Sequence, residues 1–344
     1  MTKKKILLTG GLGFIGSHTA VELINKGFEV IIVDNLSNTT IEPLDGIESI
    51  TSCRPIFEQV DLSKYDQVQS LFEKHTSFDG IIHFAAFKAV GESYNSPLKY
   101  YLNNLTSLSL LLEKCIELDI NNLIFSSSCT VYGEADVLPI NEKSSIKPAL
   151  SPYGNTKQIG EEIILDTLRV NPSLKTIALR YFNPIGAHPS GKIGELPLGT
   201  PLNLVPYVTQ TAAGVRSQLQ VYGNDYDTPD GTNVRDYIHV VDVAKAHVTA
   251  LNRLLNSKNT DAFEVFNLGT GTGSSVLEVI ESFERVSHSK LNYKIVDRRK
   301  GDVTAAYADT TKANTVLGWK AEFTLDDAMR DAWQWEKKIR NISK

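Results

Sequence analysis

The decapeptide Thr9-Gly10-Gly11-Leu12-Gly13-Phe14-Ile15-Gly16-Ser17-His18 limits what this chain can fold into more than any other stretch. It joins an apolar run, residues 5–10, to a stretch of helical spacing, residues 16–27. Gly11, Gly13 and Gly16 satisfy G-x-G-x-x-G, while Gly10, Gly13 and Gly16 satisfy G-x-x-G-x-x-G. Glycines at such a strand-to-helix turn let the backbone bend tightly, approach a pyrophosphate and present helix N-terminal amides to its charge. A glycine-rich turn alone does not make a nucleotide site, but here Asp34 ends the second apolar run. A carboxylate in that place accepts hydrogen bonds from an adenosine ribose and repels a 2′-phosphate, which favours NAD over NADP. Asp61, ending the third run just before Leu62, either faces the adenine in the same way or is a solvated strand end.

The pattern continues past the glycine loop. Candidate strands at 5–10, 29–34, 55–61, 80–86, 122–128 and 176–183 alternate with helical stretches at 16–27, 65–75, 105–118 and 153–170. Alternation of this kind predicts an α/β fold, a Rossmann-type doubly wound parallel sheet covered on both faces. After Phe182 the pattern breaks into a Pro- and Gly-rich region, 183–235, containing one apolar stretch, 204–215. Further helices are expected at 240–256, 275–287 and 324–339, with strands near 263–268 and 292–296. We therefore expect residues 1–182, with 236–266 returning to them, to form an NAD-binding domain. Residues 183–235 and 267–344 would form a smaller α/β substrate-binding lobe.

Composition narrows the function classes. A net charge of −5 argues against a nucleic-acid or anionic-membrane surface. The three cysteines, Cys53, Cys115 and Cys129, are widely spaced, which fits a reducing compartment and no metal site. Lys3-Lys4-Lys5 precede only three apolar residues, too few for a signal-peptide core, so a cytoplasmic location is expected.

Ligands of open parallel sheets bind beyond the carboxyl ends of the strands. Ser126, Ser127 and Ser128 end the fifth candidate strand, so Ser126 and Ser128 point into that crevice. Tyr153 and Lys157 open the next helix at i and i+4 and share one face. A phenol titrates near pH 10, so a tyrosine acting as a base near neutrality must bind its proton about 4 kcal/mol less tightly. A neighbouring ammonium and the cationic ring of an oxidised nicotinamide together supply that. Tyr153 then takes a proton from a substrate hydroxyl that Ser128 holds, while the carbon loses hydride to the cofactor. The plain alternative has Tyr153 packed in the core and Lys157 in solvent.

With these motifs on the page, the chain resembles the extended short-chain dehydrogenase/reductase family, most closely its UDP-glucose 4-epimerase branch. The resemblance spans essentially the whole chain. It rests on TGGLGFIGSH (9–18), VDNLSN (33–38), HFAAFKAVGES (83–93), FSSSCTVYG (125–133), SPYGNTK (151–157), RYFNPIGAHPSGKIGE (180–195), VRDYIHVVD (234–242) and RRKGD (298–302). It implies NAD contacts from Gly10, Gly13, Phe14, Ile15, Gly16, Asp34, Asn35, Asn38, Asp61 and Leu62. Phe84, Ala85, Lys88, Asn103, Ser126, Tyr153, Lys157 and Tyr181 complete that set. UDP-sugar contacts are implied for Ser128, Tyr153, Asn183, Asn203, Leu204, Tyr222, Arg235, Arg299 and Asp302. The two arginines suit a diphosphate because planar guanidinium groups bind its oxygens in pairs.

The resemblance further implies oxidation of a UDP-sugar at C4, rotation of the 4-keto sugar and re-reduction on the other face. It also implies a homodimer built on the helices around 105–118 and 159–168. Ala306 stands where some relatives carry tyrosine near the sugar; either that leaves room for N-acetylated UDP-sugars as well, or neighbouring loops refill the space. A dehydratase or UDP-glucuronate epimerase of the same fold is the alternative. Elimination, however, needs an acid and base where this chain has Cys129-Thr130 before Val131-Tyr132-Gly133. His83 and His239 are expected to pack or cap and Cys129 to be a small buried side chain, while His18 has no assigned role.

Overall fold

The computed structural model describes residues 3–299 and 302–342. Seven strands make its main sheet: β1 (Lys5–Thr9), β2 (Glu29–Asp34), β3 (Ile56–Gln59), β4 (Gly80–His83), β5 (Asn122–Ser128), β6 (Lys175–Tyr181) and β7 (Phe263–Leu268). All neighbours are parallel, in the order β3-β2-β1-β4-β5-β6-β7. The order reverses between β1 and β4, which opens a crevice beyond their carboxyl ends.

Ten α-helices accompany the sheet among the described residues. They are α1 (Phe14–Asn25), α2 (Pro43–Thr51), α3 (Tyr65–Lys74), α4 (Val90–Asn95), α5 (Pro97–Glu117), α6 (Pro152–Val170), α7 (Leu204–Ala212), α8 (Val240–Leu255), α9 (Val276–Ser287) and α10 (Leu325–Ile339). Alternate residues of each strand face opposite layers. Ile6, Leu8, Ile32, Ile82 and Ile124 pack with Ala20, Val21 and Leu23 of α1 and Val243, Ala246 and Leu251 of α8. Leu7, Ile31, Val33, Ile81 and Leu123 pack with α3, α5 and α6 through Val68, Leu71, Leu108, Leu111 and Ile164. Burial on both faces is why these strands read as unbroken apolar runs.

A second core lies where Val205 and Val208 of α7, Phe283 of α9, and Met329 and Trp333 of α10 meet. Short strands hang beside it. Leu219–Tyr222 pairs with Tyr293–Val296, and Val234–Arg235 lies between Ser274–Ser275 and Ala305–Ala306. Asn183–Ile185 pairs with Tyr237–His239 at the seam between this core and the sheet. Among the described residues, no helix is long and apolar enough to cross a membrane.

Several elements differ from the sequence expectation. The third and fourth strands end at Gln59 and His83, short of 61 and 86. The sixth ends at Tyr181, and Asn183 already pairs elsewhere. α5 begins at Pro97 rather than 105. α2, α4 and α7 have no counterpart in that reading. Pro43 and Gly46 make α2 look like a turn, yet Pro43 occupies the first helical turn, where a missing N–H costs nothing. Gly46 is a close approach: a Cβ there would lie 2.4 Å from Ile193 Cγ2.

Three buried histidines carry a pH consequence. Nδ1 of His18 donates to the Phe14 carbonyl (2.7 Å), Nδ1 of His247 donates to the Val243 carbonyl (2.8 Å), and His83 Nδ1 pairs with Thr9 Oγ1 (2.8 Å). Burial pushes His18 and His83 down to about 3 and His247 down to about 4. Unfolded, all three titrate near pH 6.5, so their contribution to stability is full above that value and falls as pH drops toward the folded values. Each adds a slope of roughly 1 kcal/mol per pH unit in that window. The urea midpoint should therefore fall steeply between pH 6.5 and 4; a flat midpoint there would contradict the buried, neutral imidazoles.

Candidate active site

The glycine turn is built by contact as much as by torsion. Gly10 has φ +65°, and a Cβ on it would sit 2.7 Å from the Ala85 amide nitrogen, so the loop lies directly on the chain leaving β4. A Cβ on Gly16 would sit 2.3 Å from the Gly10 carbonyl oxygen, so α1 meets the loop backbone to backbone. Gly13 precedes α1 as its N-cap, with no side-chain cap and no acid in the first turn. The leading amides of α1 thus lack a side-chain acceptor, the arrangement that suits an anion. Asp34, nearly buried at the end of β2, accepts from the Leu12 amide (3.2 Å) and the Leu36 amide (3.0 Å), while burial raises its proton affinity. These features fit a dinucleotide: amides for the pyrophosphate and a carboxylate for the ribose.

The other expected cofactor residues divide. Phe84 packs 4.5 Å from the His247 ring, and the Ala85 amide donates to Thr9 Oγ1. Asn35 Oδ1 accepts from the Ser37 amide. Leu62 is buried in the core beneath β2, and Asn103 Nδ2 donates to Asn104 Oδ1. Asp61 spends Oδ1 on the Ser63 amide (2.9 Å) and hydroxyl (2.7 Å), stabilising the turn into α3. Lys88 lies 3.4 Å from Glu195, a pairing across 107 residues that no local pattern foretells.

Beyond the ends of β5 and β6, the three residue types of the proposed chemistry meet. Ser151 caps α6, its hydroxyl accepting from the Gly154 amide, and so fixes the first turn that carries Tyr153. Lys157 Nζ donates to the Ser126 carbonyl (2.7 Å), and the Ser126 hydroxyl is bonded to that of Tyr181. Ser128 Oγ accepts from the Thr130 amide, which orients it. Tyr153 and Lys157 are both buried, so the solvated-lysine alternative fails. Burial pushes Lys157 down to about 8, with the Glu161 carboxylate opposing that shift. Burial, followed by Tyr181, raises Tyr153 above the usual phenol value, while the Ser128 hydroxyl beside it acts the other way. The chain alone therefore holds Tyr153 as a phenol.

Of the expected UDP-sugar residues, Tyr222, Arg235, Arg299, Asp302 and Ala306 lie together. Arg235 Nη1 donates to the carbonyls of Val234 (2.8 Å) and Val303 (2.9 Å), which fixes the guanidinium plane. Asp302 accepts from Arg299 Nε (3.2 Å) and Nη2 (3.0 Å) and lies 3.9 Å from Arg235. Arg299 sits over the Tyr222 ring at 5.4 Å, and Ala306 is the strand partner of Arg235. Asn203 Nδ2 donates to Glu195 (2.6 Å), Leu204 packs on the second core, and the Asn183 amide donates to the Asp236 carbonyl. Cys129 comes directly after Ser128 at the end of β5. It is partly exposed rather than buried, because it follows Ser128 around the strand end.

Two acids went unnoticed in the sequence. Asp236, fully buried, accepts from the Thr270 amide and hydroxyl (both 2.8 Å) and from the Gly271 and Ala308 amides (both 3.1 Å). It ties the strand bearing Arg235 to the strand bearing Ala306. Glu161 bonds Ser127 and Arg180 at the carboxyl ends of β5 and β6. Its i+4 spacing from Lys157 was the available signal. Of the histidines, His239 caps α8 by accepting from the Val241 amide, as expected.

Comparison with known proteins bears on this arrangement. A family model described as GDP-mannose 4,6 dehydratase matches residues 7–332. UDP-glucose 4-epimerase of Bacillus subtilis is 49% identical, with 98% of each chain covered. The chain belongs to the UDP-glucose 4-epimerase family. The Drosophila melanogaster epimerase is 47% identical over 99% of both chains. The solved UDP-glucose 4-epimerase of Bifidobacterium longum, in complex with NAD+ and UDP, superposes with a TM-score of 0.93 at 46% identity. It covers 98% of this chain and 99% of its own. Family membership thus accounts for the Rossmann-type sheet.

Proposed function

We propose that this chain is an NAD-dependent isomerase that interconverts UDP-glucose and UDP-galactose at C4. The observation that carries the reading is the buried ridge of Tyr153 and Lys157 lying over Ser126 and Ser128, with Arg235 and Arg299 across the cleft. In this reading residues 1–182 with 236–266 hold the cofactor, and 183–235 with 267–344 hold the UDP-sugar. NAD, when bound, supplies the hydride acceptor, and in its reduced form the donor.

The chain's own groups do the rest. Ser128 orients the sugar 4-hydroxyl and Tyr153 takes its proton. Because burial holds Tyr153 as a phenol, the Lys157 ammonium and the cationic ring of the oxidised cofactor are both required to bring its proton affinity down. Arg235 and Arg299 exchange Asp302 for the diphosphate, keeping the nucleotide fixed while the 4-keto sugar turns about its link. Tyr153 then returns the proton to the C4 oxygen of the turned sugar, whose other face now meets the hydride. Gly10, Gly13, Phe14, Ile15, Gly16, Asp34, Asn35 and Asn38 hold the pyrophosphate and adenosine end. Lys88 leaves Glu195 for a phosphate oxygen.

Incubation with UDP-galactose and NAD, followed by separation of the sugar nucleotides, should give UDP-glucose at equilibrium. Recovery of UDP-galactose alone, or of a dehydrated sugar, would overturn the reading. The small side chain of Ala306, a strand partner of Arg235, would leave room beside C2 of the sugar. UDP-N-acetylglucosamine should therefore also be turned over; no turnover, with UDP-galactose consumed well, ends that extension. Elimination as a rival is disfavoured because Cys129 and Thr130 occupy the places of an acid and base. Leu98 and Leu102 on α5, with Leu165 and Val170 on α6, are exposed large apolar residues. They support pairing of these helices with a second copy in a cytoplasmic homodimer, and a monomer by sedimentation velocity would refute it.

A further inference from the structure

Beneath the catalytic ridge lies a set of buried polar side chains that the proposed chemistry does not use. Glu161 is four residues beyond Lys157 and eight beyond Tyr153, so the three form one ridge along the inner face of α6. Its carboxylate accepts from Ser127 Oγ (2.5 Å) and Arg180 Nε (2.9 Å) through Oε1, and from Arg180 Nη2 through Oε2. Ser127 and Arg180 are register partners on β5 and β6, so one carboxylate pins α6 to two adjacent strands at their carboxyl ends. The Arg180 guanidinium lies 4.8 Å over the Tyr132 ring, and Tyr132 donates to Asn267 Oδ1 (2.6 Å) at the end of β7. Glu161, Arg180, Ser127, Tyr132 and Asn267 are all buried.

We infer that Glu161, held by Arg180 and Ser127, is a positioning residue that sets where Tyr153 and Lys157 meet β5 and places an anion one helical turn from Lys157. The inference rests on the epimerase reading of the site. Ser127 alternates with Ser126 and Ser128 along the strand, so anchoring it from one side fixes the tilt of the two serines on the other. Around Lys157, Tyr153 and Glu161 face it from α6. His83, held neutral by burial, faces it from β4, and the Ser126 carbonyl and the Phe125 ring (5.0 Å) face it from β5. Glu161 is the anion that acts on it, and it opposes the burial that favours the neutral amine. A buried ion pair by itself is weak evidence for stability. Its place one helical turn from the catalytic cation is what gives it a functional consequence.

The test is the pH profile of kcat for UDP-galactose with saturating NAD, measured for the whole enzyme and for two variants. In Glu161→Gln, an unpaired Arg180 cation and a lost carboxylate both disfavour the ammonium, so the alkaline limb should move about one pH unit lower. In the double variant Glu161→Gln/Arg180→Met no unpaired charge is buried, so folding is preserved even where the single variant is insoluble. Its limb should still lie below that of the parent, by less. A limb at the parental position in either soluble variant overturns the inference, whatever happens to stability. A parent enzyme with no epimerisation overturns the reading on which it rests, whereas an active parent with unmoved limbs overturns this inference alone.

Discussion

Replacing Tyr153 by phenylalanine should lower kcat about 10³-fold, within the span that a positioned acid or base contributes. The ring is buried and remains in place, so the substitution removes one oxygen from a packed site. UDP affinity and the urea midpoint should therefore change little, and KM for UDP-galactose should stay within a few-fold. The loss falls on kcat because the proton moves only on the way to the transition state. A variant that retains more than a tenth of the parental kcat would remove Tyr153 from the chemistry.

Arg235→Ala should act on the other parameter. Arg235 is fixed by two backbone carbonyls and is nearly covered, so its remaining N–H groups are preoriented toward the cleft. Loss of a charge-assisted contact to a diphosphate costs about 2–3 kcal/mol, or 30- to 150-fold in kcat/KM. Most of it should appear in KM, since the diphosphate is gripped equally before and during the reaction. The substitution also frees Asp302, which then pairs with Arg299 alone. That residual negative charge beside the nucleotide adds to the loss. An unchanged KM with a depressed kcat would place Arg235 near the sugar rather than the diphosphate.

What was legible in the sequence follows from the range of the interactions involved. β1, β2 and β5 were readable because strands covered on both faces must be continuously apolar, and Ile6-Leu7-Leu8 and Val30-Ile31-Ile32-Val33 are. The glycine turn was readable because part of its constraint is local: Gly13 and Gly16 both lie against the Gly10 carbonyl, whereas the close approach of Gly10 to Ala85 spans 75 residues. Tyr153 and Lys157 were readable as one helical turn.

The supports of that pair were not. Glu161 meets Ser127 across 34 residues and Arg180 across 19, and Asp236 meets Ala308 across 72. Nothing in the neighbourhood of an isolated acid says which distant donors it will find. The same reason hid the Lys88–Glu195 pairing. α2 and α7 were missed because Pro43 and Pro206, each in a first helical turn, look like breaks when read without the fold. The phenol of Tyr153 adds a physical lesson. Spacing paired a tyrosine with a lysine, but it did not foretell that burial raises the proton affinity of the one and lowers that of the other.

The central claim is that one hydrogen leaves C4 and comes back to the same carbon on the opposite face. UDP-galactose deuterated at C4, incubated with this protein and NAD, tests it directly by mass spectrometry of the separated products. The account predicts UDP-glucose that keeps deuterium at C4. UDP-glucose bearing solvent hydrogen there, or no UDP-glucose at all, would contradict it.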